Sequence, residues 1–490
     1  MALVRRVLPA QPIPDLAGHI ERFQGGQALF AARQVEPAAV IDVVRASGLR
    51  GRGGAGFPPA TKWRTVADNH TEVEPATVVV NAAEGEPGTF KDRAILRADP
   101  YAVLEGALIA AHAVGADTVV MATKATFTRE LDQLERAVAE ITEAGWAEGI
   151  TIRLVEGPGE YLYGEETALL EVIDGRPPLP RIAPPYRRGV DEVVETVDDL
   201  GSRSGLSAHV EMAGSSPGNV AAPTLVNNVE TLANIPEIVL HGADWFRQHG
   251  TAESPGTIVC TITGRVQHPA TGEVAMGTTL REAIEEIGGG LTEGRTVSAV
   301  IPGVANAFLP PELLDTPLTY EAFAALGSGL GSAGFIVLDD TDDVVAAAAG
   351  VSRFLAVESC GQCTPCKQDG RAISEILDRV IASPATQHDL VMLADRTSTV
   401  ADGARCNLAR QQQAVVAGLL ARWGDDVADH LSGATGATGR FLIAELVDID
   451  ERGAVVDSHH EDKQPDWTFD EEDSGVAPAD RLSDHRVAPG

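Results

Sequence analysis

The chain has 490 residues, 71 acidic and 38 basic, with a formal net charge of −33. That balance excludes a nucleic-acid footprint, which needs basic side chains against phosphates, and the length exceeds what one hydrophobic core supports, so three or more units are expected. The most apolar stretch, YAVLEGALIAAHAVGADTVVMA, is interrupted by Glu105, His112 and Asp117, which excludes direct membrane insertion there.

In chain order, MALVRRVLPAQPIPDL has two arginines followed by proline instead of a long apolar core, so no secretory signal is read and a cytoplasmic location is expected. Residues 1–245 alternate helix-like stretches with β-branched runs at 76–82, 117–123 and 150–156, which is α/β wording. Helices are expected from Tyr101 to Val114 and from Arg129 to Ala144, as crossovers between parallel strands. Residues 246–338 read as a small β-grasp-like domain: TIVCTITGRV, a turn at HPATGE, a β run, and TTLREAIEEIGGG as a capped helix. Cys260, inside TIVCTI, reads as a core thiol. Residues 339–432 are helical, with apolar recurrence at three and four in AISEILDRVIA. Residues 433–490 read as one strand, FLIAELVDI, and an acidic, partly disordered tail.

Four polar runs in the first unit point to a ligand. GLRGRGGAGF (48–57) lacks the strand before and the helix immediately after that a dinucleotide fingerprint needs. Its glycines Gly51, Gly53, Gly54 and Gly56 nonetheless let backbone N–H groups approach a planar or phosphorylated ligand, and Arg50, Arg52 and Lys62 add positive charge. A merely flexible surface loop is the bland alternative. NAAEGEPGTFKDR (81–93) and GPGEYLYGEETALLEVIDG (157–175) each follow a β run, where ligand sites gather in α/β folds. Glu165 and Glu166 fall at a helix start, where capping explains one and leaves the other for a ligand. In PTLVNNVETLANIPEIV, Asn227 and Asn228 are turn formers or ligand-bonding amides. Together the runs suggest a nucleotide or flavin cleft.

Cys360, Cys363 and Cys366 in ESCGQCTPCKQDG, with Cys406 in ARCNLA 40 residues on, have the spacing of a four-thiolate metal centre. Iron-sulfur clusters are held this way; a structural zinc site, which usually arrives as two CxxC pairs, is the alternative.

In the order and content of these motifs, over roughly residues 40 to 430, the chain resembles the 51-kDa flavoprotein subunit of respiratory NADH dehydrogenase and its relatives in NAD-linked hydrogenases and formate dehydrogenases. The resemblance implies a Rossmann-like FMN-binding domain, a soluble-ligand-binding β-grasp domain and a helical bundle holding a four-iron, four-sulfur cluster. By position, Gly51, Gly53, Gly54, Lys62, Asn81, Glu84, Gly164, Glu165, Asn227 and Asn228 correspond to the FMN site. Phe57, Glu86, Glu166 and Tyr186 correspond to residues that meet NADH, with Glu166 the catalytic-site residue, positioning nicotinamide without exchanging protons. Cys360, Cys363, Cys366 and Cys406 correspond to the cluster ligands. The implied partners are other redox subunits, an iron-sulfur protein among them, within a complex that is membrane-bound in one setting, with attachment to the inner membrane face through those partners.

Three positions depart from the family pattern on the flavin or nucleotide side: Ala83 where an aspartate is usual, Ala183 where a lysine precedes Pro-Pro, and Thr65 where an aromatic follows Lys62-Trp63. Two alternatives to NADH oxidation stay open at this point: a flavin and iron-sulfur electron-transfer module that does not use nicotinamide, and a nonenzymatic scaffold with a zinc knot.

Overall fold

A computed structural model describes residues 3–70, 75–181, 193–196, 209–212, 223–382 and 385–465. Tyr186 and Ala183 lie outside the described residues. In the first unit the strands are β1 (Ala76–Ala82), β2 (Ala116–Lys124), β3 (Thr151–Gly157), a separate antiparallel ribbon of β4 (Val193–Thr196) and β5 (His209–Met212), and β6 (Thr224–Asn228). The sheet runs β3-β2-β1-β6 and is parallel throughout. Val78, Val79 and Val80 are all fully buried, as a β-branched run in a sheet covered on both faces requires. Helices Lys91–Ala98 and Pro100–Val114 carry the chain from β1 to β2, and Thr128–Glu143 from β2 to β3. The Asp99 carboxylate caps the second of these by accepting from the Tyr101 and Ala102 amides, and Gly115 at φ 70° ends it. Strand order reverses at β1, which has β2 on one side and β6 on the other, and such a switch point opens a crevice at the strands' carboxyl ends.

The second unit is a four-stranded mixed sheet of β7 (Thr257–Gly264), β8 (Ala270–Ala275), β9 (Val297–Ile301) and β10 (Gly334–Asp339), in the order β8-β7-β10-β9. β7 and β10 are parallel and the outer pairs antiparallel. Helix Leu280–Gly288 packs across it, opened by a Thr279–Glu282 capping box. Cys260 is buried in this core. The start of the chain joins this unit as well: Val4 bridges Glu273 of β8, whose Oε2 accepts from the amides of Arg6, Val7 and Leu8.

Helices Val344–Val357, Thr364–Ala382, Gln387–Thr399, Leu408–Arg422 and Gly424–Ser432 share a third core. The apolar recurrence in Thr364–Ala382 buries Ile373, Ile376, Leu377, Val380 and Ile381. The segment read as tail is built into the fold to the end of the described residues. β11 (Leu446–Asp450) and β12 (Gly453–Val456) form a hairpin, followed by a 3-10 turn at Ser458–Glu461. Its acidic side chains face cations of the first unit: Glu445 pairs with Lys124 at 2.5 Å and Asp448 with Arg97 at 2.5 Å. Charge composition alone hides this, because the complementary cations lie more than 300 residues away in sequence.

Candidate functional site

The crevice at the β1–β6 switch point is a cleft of about 570 Å³ walled by all three units. The glycine loop, Lys62, Asn81 to Glu86, and Gly164 to Glu166 line it from the first unit, Ala305, Asn306 and Ser332 from the second, and Cys406, Leu408 and Gln411 from the third. The glycine loop connects helices Pro37–Ser47 and Pro59–Ala67. It is pinned by Gly51 N donating to Phe57 O at 3.0 Å and Arg50 Nε to Gly56 O at 2.9 Å. A Cβ on Gly56, at φ +64°, would sit 2.6 Å from the Tyr320 ring, and one on Gly51 2.9 Å from Phe57 O. The loop is therefore a backbone cradle that only glycine allows. Phe57 projects from its end with its ring half exposed.

Of the three cations expected to serve a phosphate, the structure keeps one in the cleft wall. Arg52 is buried beneath the loop, donating to the carbonyls of Pro255 and Thr257 and lying 3.9 Å from Glu230. Arg50 stacks over Tyr320 and pairs with Glu321 at 3.7 Å. Lys62 lines the cleft, with Nζ 2.6 Å from Glu166 Oε2. Thr65 is one turn on, its hydroxyl donating to Thr61 O, and is not part of the cleft wall.

The carboxylates divide as the helix start suggests. Glu165 caps Glu166–Ile173, accepting from the Thr167 and Ala168 amides, while Glu166 turns to Lys62. Asn81 holds the third polar run in place, its Nδ2 donating to Gly164 O at 2.8 Å. Asn227 Oδ1 accepts from Trp63 Nε1, and Asn228 caps helix Val229–Ala233 while donating to Asp92. Glu84 accepts from the Asp92 and Arg93 amides at the start of Lys91–Ala98; burial and the nearby Asp92 charge push its acidity below that of an ordinary carboxyl. Glu86 spans units: Oε1 accepts from the Val304 and Ala305 amides and Oε2 from the Tyr161 hydroxyl at 2.5 Å. Burial raises its pKa against the pull of those bonds.

Tyr161, Lys91, Asn306 and Gln411 line the cleft without having been singled out in sequence. Tyr161 and Lys91 sit inside runs flagged as polar, so their neighbourhood was legible. Asn306 and Gln411 come from other units and carry no local signal.

Cys360, Cys363, Cys366 and Cys406 line one small pocket together with Leu162, Pro180 and Leu408. All four are free thiols. Among the described residues no three His, Cys, Asp or Glu side chains close to single-ion distance. Burial pushes the Cys366 thiol up to about 12 and raises those of Cys360 and Cys406, with neighbouring thiols adding to the rise. Such desolvated sulfurs are poor free thiolates, and a cationic centre bound among them reverses that. Arg405 N and Gln362 Nε2 each lie 3.4 Å from a sulfur, as donors that would stabilise bound thiolates. The donor set thus fits an iron-sulfur cluster. The two pockets share a wall, because Cys406, Leu408 and Leu162 line both.

Three family models match in the order of the three units: the Nuo51 FMN-binding domain over residues 44–237, the SLBB domain over 259–301, and the NADH-ubiquinone oxidoreductase-F iron-sulfur binding region over 346–430. The NADH-quinone oxidoreductase F 2 subunit of Rhizobium meliloti is 37% identical over 396 residues, 78% of this chain and 86% of that protein. The HndC subunit of the NADP-reducing hydrogenase of Solidesulfovibrio fructosivorans is 36% identical over 396 residues, covering 79% and 75%. Among solved structures, an NAD+-reducing NiFe-hydrogenase in the H2-reduced state superposes with a TM-score of 0.71 at 33% identity, over 86% of this chain and 67% of that one. With a glycine-cradled cleft backed by four thiols and relatives of this extent, the chain belongs to the family of NADH-quinone oxidoreductase F subunits.

Proposed function

We propose that the cleft binds FMN against the glycine loop and NADH above it, and that electrons leave through the four-thiolate cluster to a partner redox subunit. The observation that carries this reading is the shared wall: Cys406 and Leu408 face the cleft on one side and the thiol pocket on the other. FMN, when bound, supplies two-electron acceptance from a hydride donor and one-electron release toward a cluster. The chain's own residues do the rest. Gly51, Gly53 and Gly54 present backbone to the cofactor, and Lys62 provides the positive charge for its phosphate. Asn81, Gly164 and Asn227 shape the polar wall, with Glu84, Glu165 and Asn228 fixing the helix starts that build it. Phe57 offers a ring for stacking on a nucleotide base. Glu86 and Glu166, held by Tyr161 and Lys62, face the same space and position the nicotinamide. Leu162 and Leu408 exclude water from the route between the pockets.

The units proposed are 1–245, 246–338 and 339–432, with 433–490 as an extension. Among the described residues no helix is long and apolar enough to cross a membrane. In a complex of the respiratory kind, attachment to a membrane would run through the partner subunits. Anaerobic titration with NADH tests the assignment: flavin absorbance should bleach and a reduced-cluster electron paramagnetic resonance signal should appear. Flavin left oxidised by excess NADH would replace this reading with an electron-transfer module fed by another protein, as Ala83 suggests.

A further inference from the structure

The stretch 441–463 lies beyond the residues matched by the iron-sulfur region, 346–430, and it crosses between units. At its start Phe441 N donates to Ala346 O at 3.2 Å. The hairpin then lies on the first unit, where Glu445 meets Lys124 and the Arg93 guanidinium donates to the carbonyls of Leu446 and Val447. At its end the chain returns to the helical unit. His460 Nε2 and Lys463 Nζ stand 3.0 and 2.7 Å from Glu358 Oε1, and Arg353 donates to Lys463 O at 2.8 Å. The His460 ring stacks on Phe354 at 4.8 Å, and Phe354 meets Tyr161 edge-on at 5.3 Å.

Glu358 is where these contacts converge. It is buried, caps the end of helix Val344–Val357 and precedes Cys360 by two residues. Its other oxygen, Oε2, accepts from Tyr161 N at 3.0 Å. Tyr161 in turn donates its hydroxyl to Glu86 in the cleft and bonds Gln411. One carboxylate therefore fastens the cleft wall to the loop that carries the first thiols. A buried carboxylate persists only where its charge is matched and its lone pairs are used, and among the described residues its matching side chains, His460 and Lys463, both come from the C-terminal stretch.

We propose that the end of the stretch 441–463 sets the alignment of the cleft on the thiol pocket, with His460 and Lys463 as positioning residues acting through Glu358 and Tyr161, while the hairpin serves only to carry them back to the helical unit. The proposal rests on the flavin and cluster reading above for its functional consequence. The test uses the full holoprotein with three variants: the double variant H460F/K463M, which keeps the ring stack on Phe354 but removes both donors to Glu358; H460Q/K463M, which restores one donor; and D448N, which loosens the hairpin at its Arg97 contact without touching Glu358. Expected for H460F/K463M are roughly tenfold faster amide exchange in peptides spanning 158–166, an altered resonance line shape of the dithionite-reduced cluster, and roughly tenfold slower flavin-to-cluster transfer. H460Q/K463M should recover most of each, and D448N should leave the exchange at 158–166 and the line shape as in the parent. Unchanged exchange and line shape in the double variant, or equal changes in D448N, overturn the proposal. If NADH fails to reduce the parent's flavin, the functional reading falls, while exchange and the dithionite spectrum still decide on the alignment.

Discussion

Lys62 and Glu166 face each other at the cleft with Nζ held between the two carboxylate oxygens, 2.8 and 2.6 Å away. Their side chains are 29% and 28% exposed, so solvent screens the pair and its contribution to stability is small. Its weight lies in binding: Arg50 and Arg52 turn elsewhere, and Lys91, though it lines the cleft, is buried between Asp92 and Glu230, which leaves Lys62 as the partly exposed cation for a phosphate. Lys62→Met should weaken FMN binding about 10- to 100-fold, the range of one charge-assisted hydrogen bond. Fluorescence titration of the flavin-free protein measures it, and affinity within twofold of the parent would place the phosphate elsewhere.

Cys363 lines the thiol pocket but not the cleft, unlike Cys406. Cys363→Ser should therefore remove the iron-sulfur signal while FMN stays bound at one per chain. Iron, sulfide and flavin analysis of the purified variant checks this, and joint loss of flavin would count against separate pockets.

Gly56 and Gly145 both have positive φ, +64° and +79°, yet differ in surroundings. A Cβ at Gly56 meets the Tyr320 ring at 2.6 Å, whereas nothing lies within 4 Å at Gly145. Alanine at either position should cost about 1 kcal/mol or somewhat more in backbone strain. Only Gly56→Ala should also lose flavin, read as the flavin-to-protein ratio after gel filtration, because only there must the cradle move.

His19 is buried with Nδ1 2.8 Å from Asp99 and Nε2 3.4 Å from Glu105. Burial disfavours its charged form, but the hydrogen bonds and charges of the two carboxylates outweigh that and raise its pKa to about 9. A folded-state value above the unfolded 6.5 means the stabilisation is complete below pH 6.5 and is lost as pH rises through 9. Thermal melts of the parent and of His19→Gln should thus differ most at about pH 6 and converge toward about pH 9.5, the gap shrinking by an amount of order 3 kcal/mol. A constant gap would mean a neutral imidazole throughout.

Legibility in the sequence followed range. Strands β1, β2 and β3 and helices Pro100–Val114 and Thr128–Glu143 were readable to within a residue or so, because runs such as Val78 to Val80 are local signals, whereas β6 and helix Lys91–Ala98, inside runs read only as polar, were not. The cysteine set was readable for the same reason. What escaped was anything decided by a partner far along the chain. Arg52 looks like a phosphate ligand until the carbonyls of Pro255 and Thr257, at the start of β7, take its guanidinium, and Glu445 and Asp448 look solvated until Lys124 and Arg97 appear beside them. Glu165 and Glu166 fall between these cases: the helix start forecast one cap, and only the fold shows which carboxylate takes it.

The buried run of Arg52, Glu230 and Lys91 reaches from beneath the glycine loop to the first strand of the β-grasp unit, where Glu230 accepts from Val259 N. Excising the second unit would leave these charges paired with one another but would remove the Pro255 and Thr257 carbonyls that Arg52 donates to and the Val259 amide that Glu230 accepts from, and would open the run to water, each lost bond to a charged group costing about 1.5–3 kcal/mol. The flavin-binding portion is therefore not a detachable cassette. Grafting it into another protein means transplanting its neighbour as well, and the two are expected to open and close as one cooperative block in hydrogen exchange.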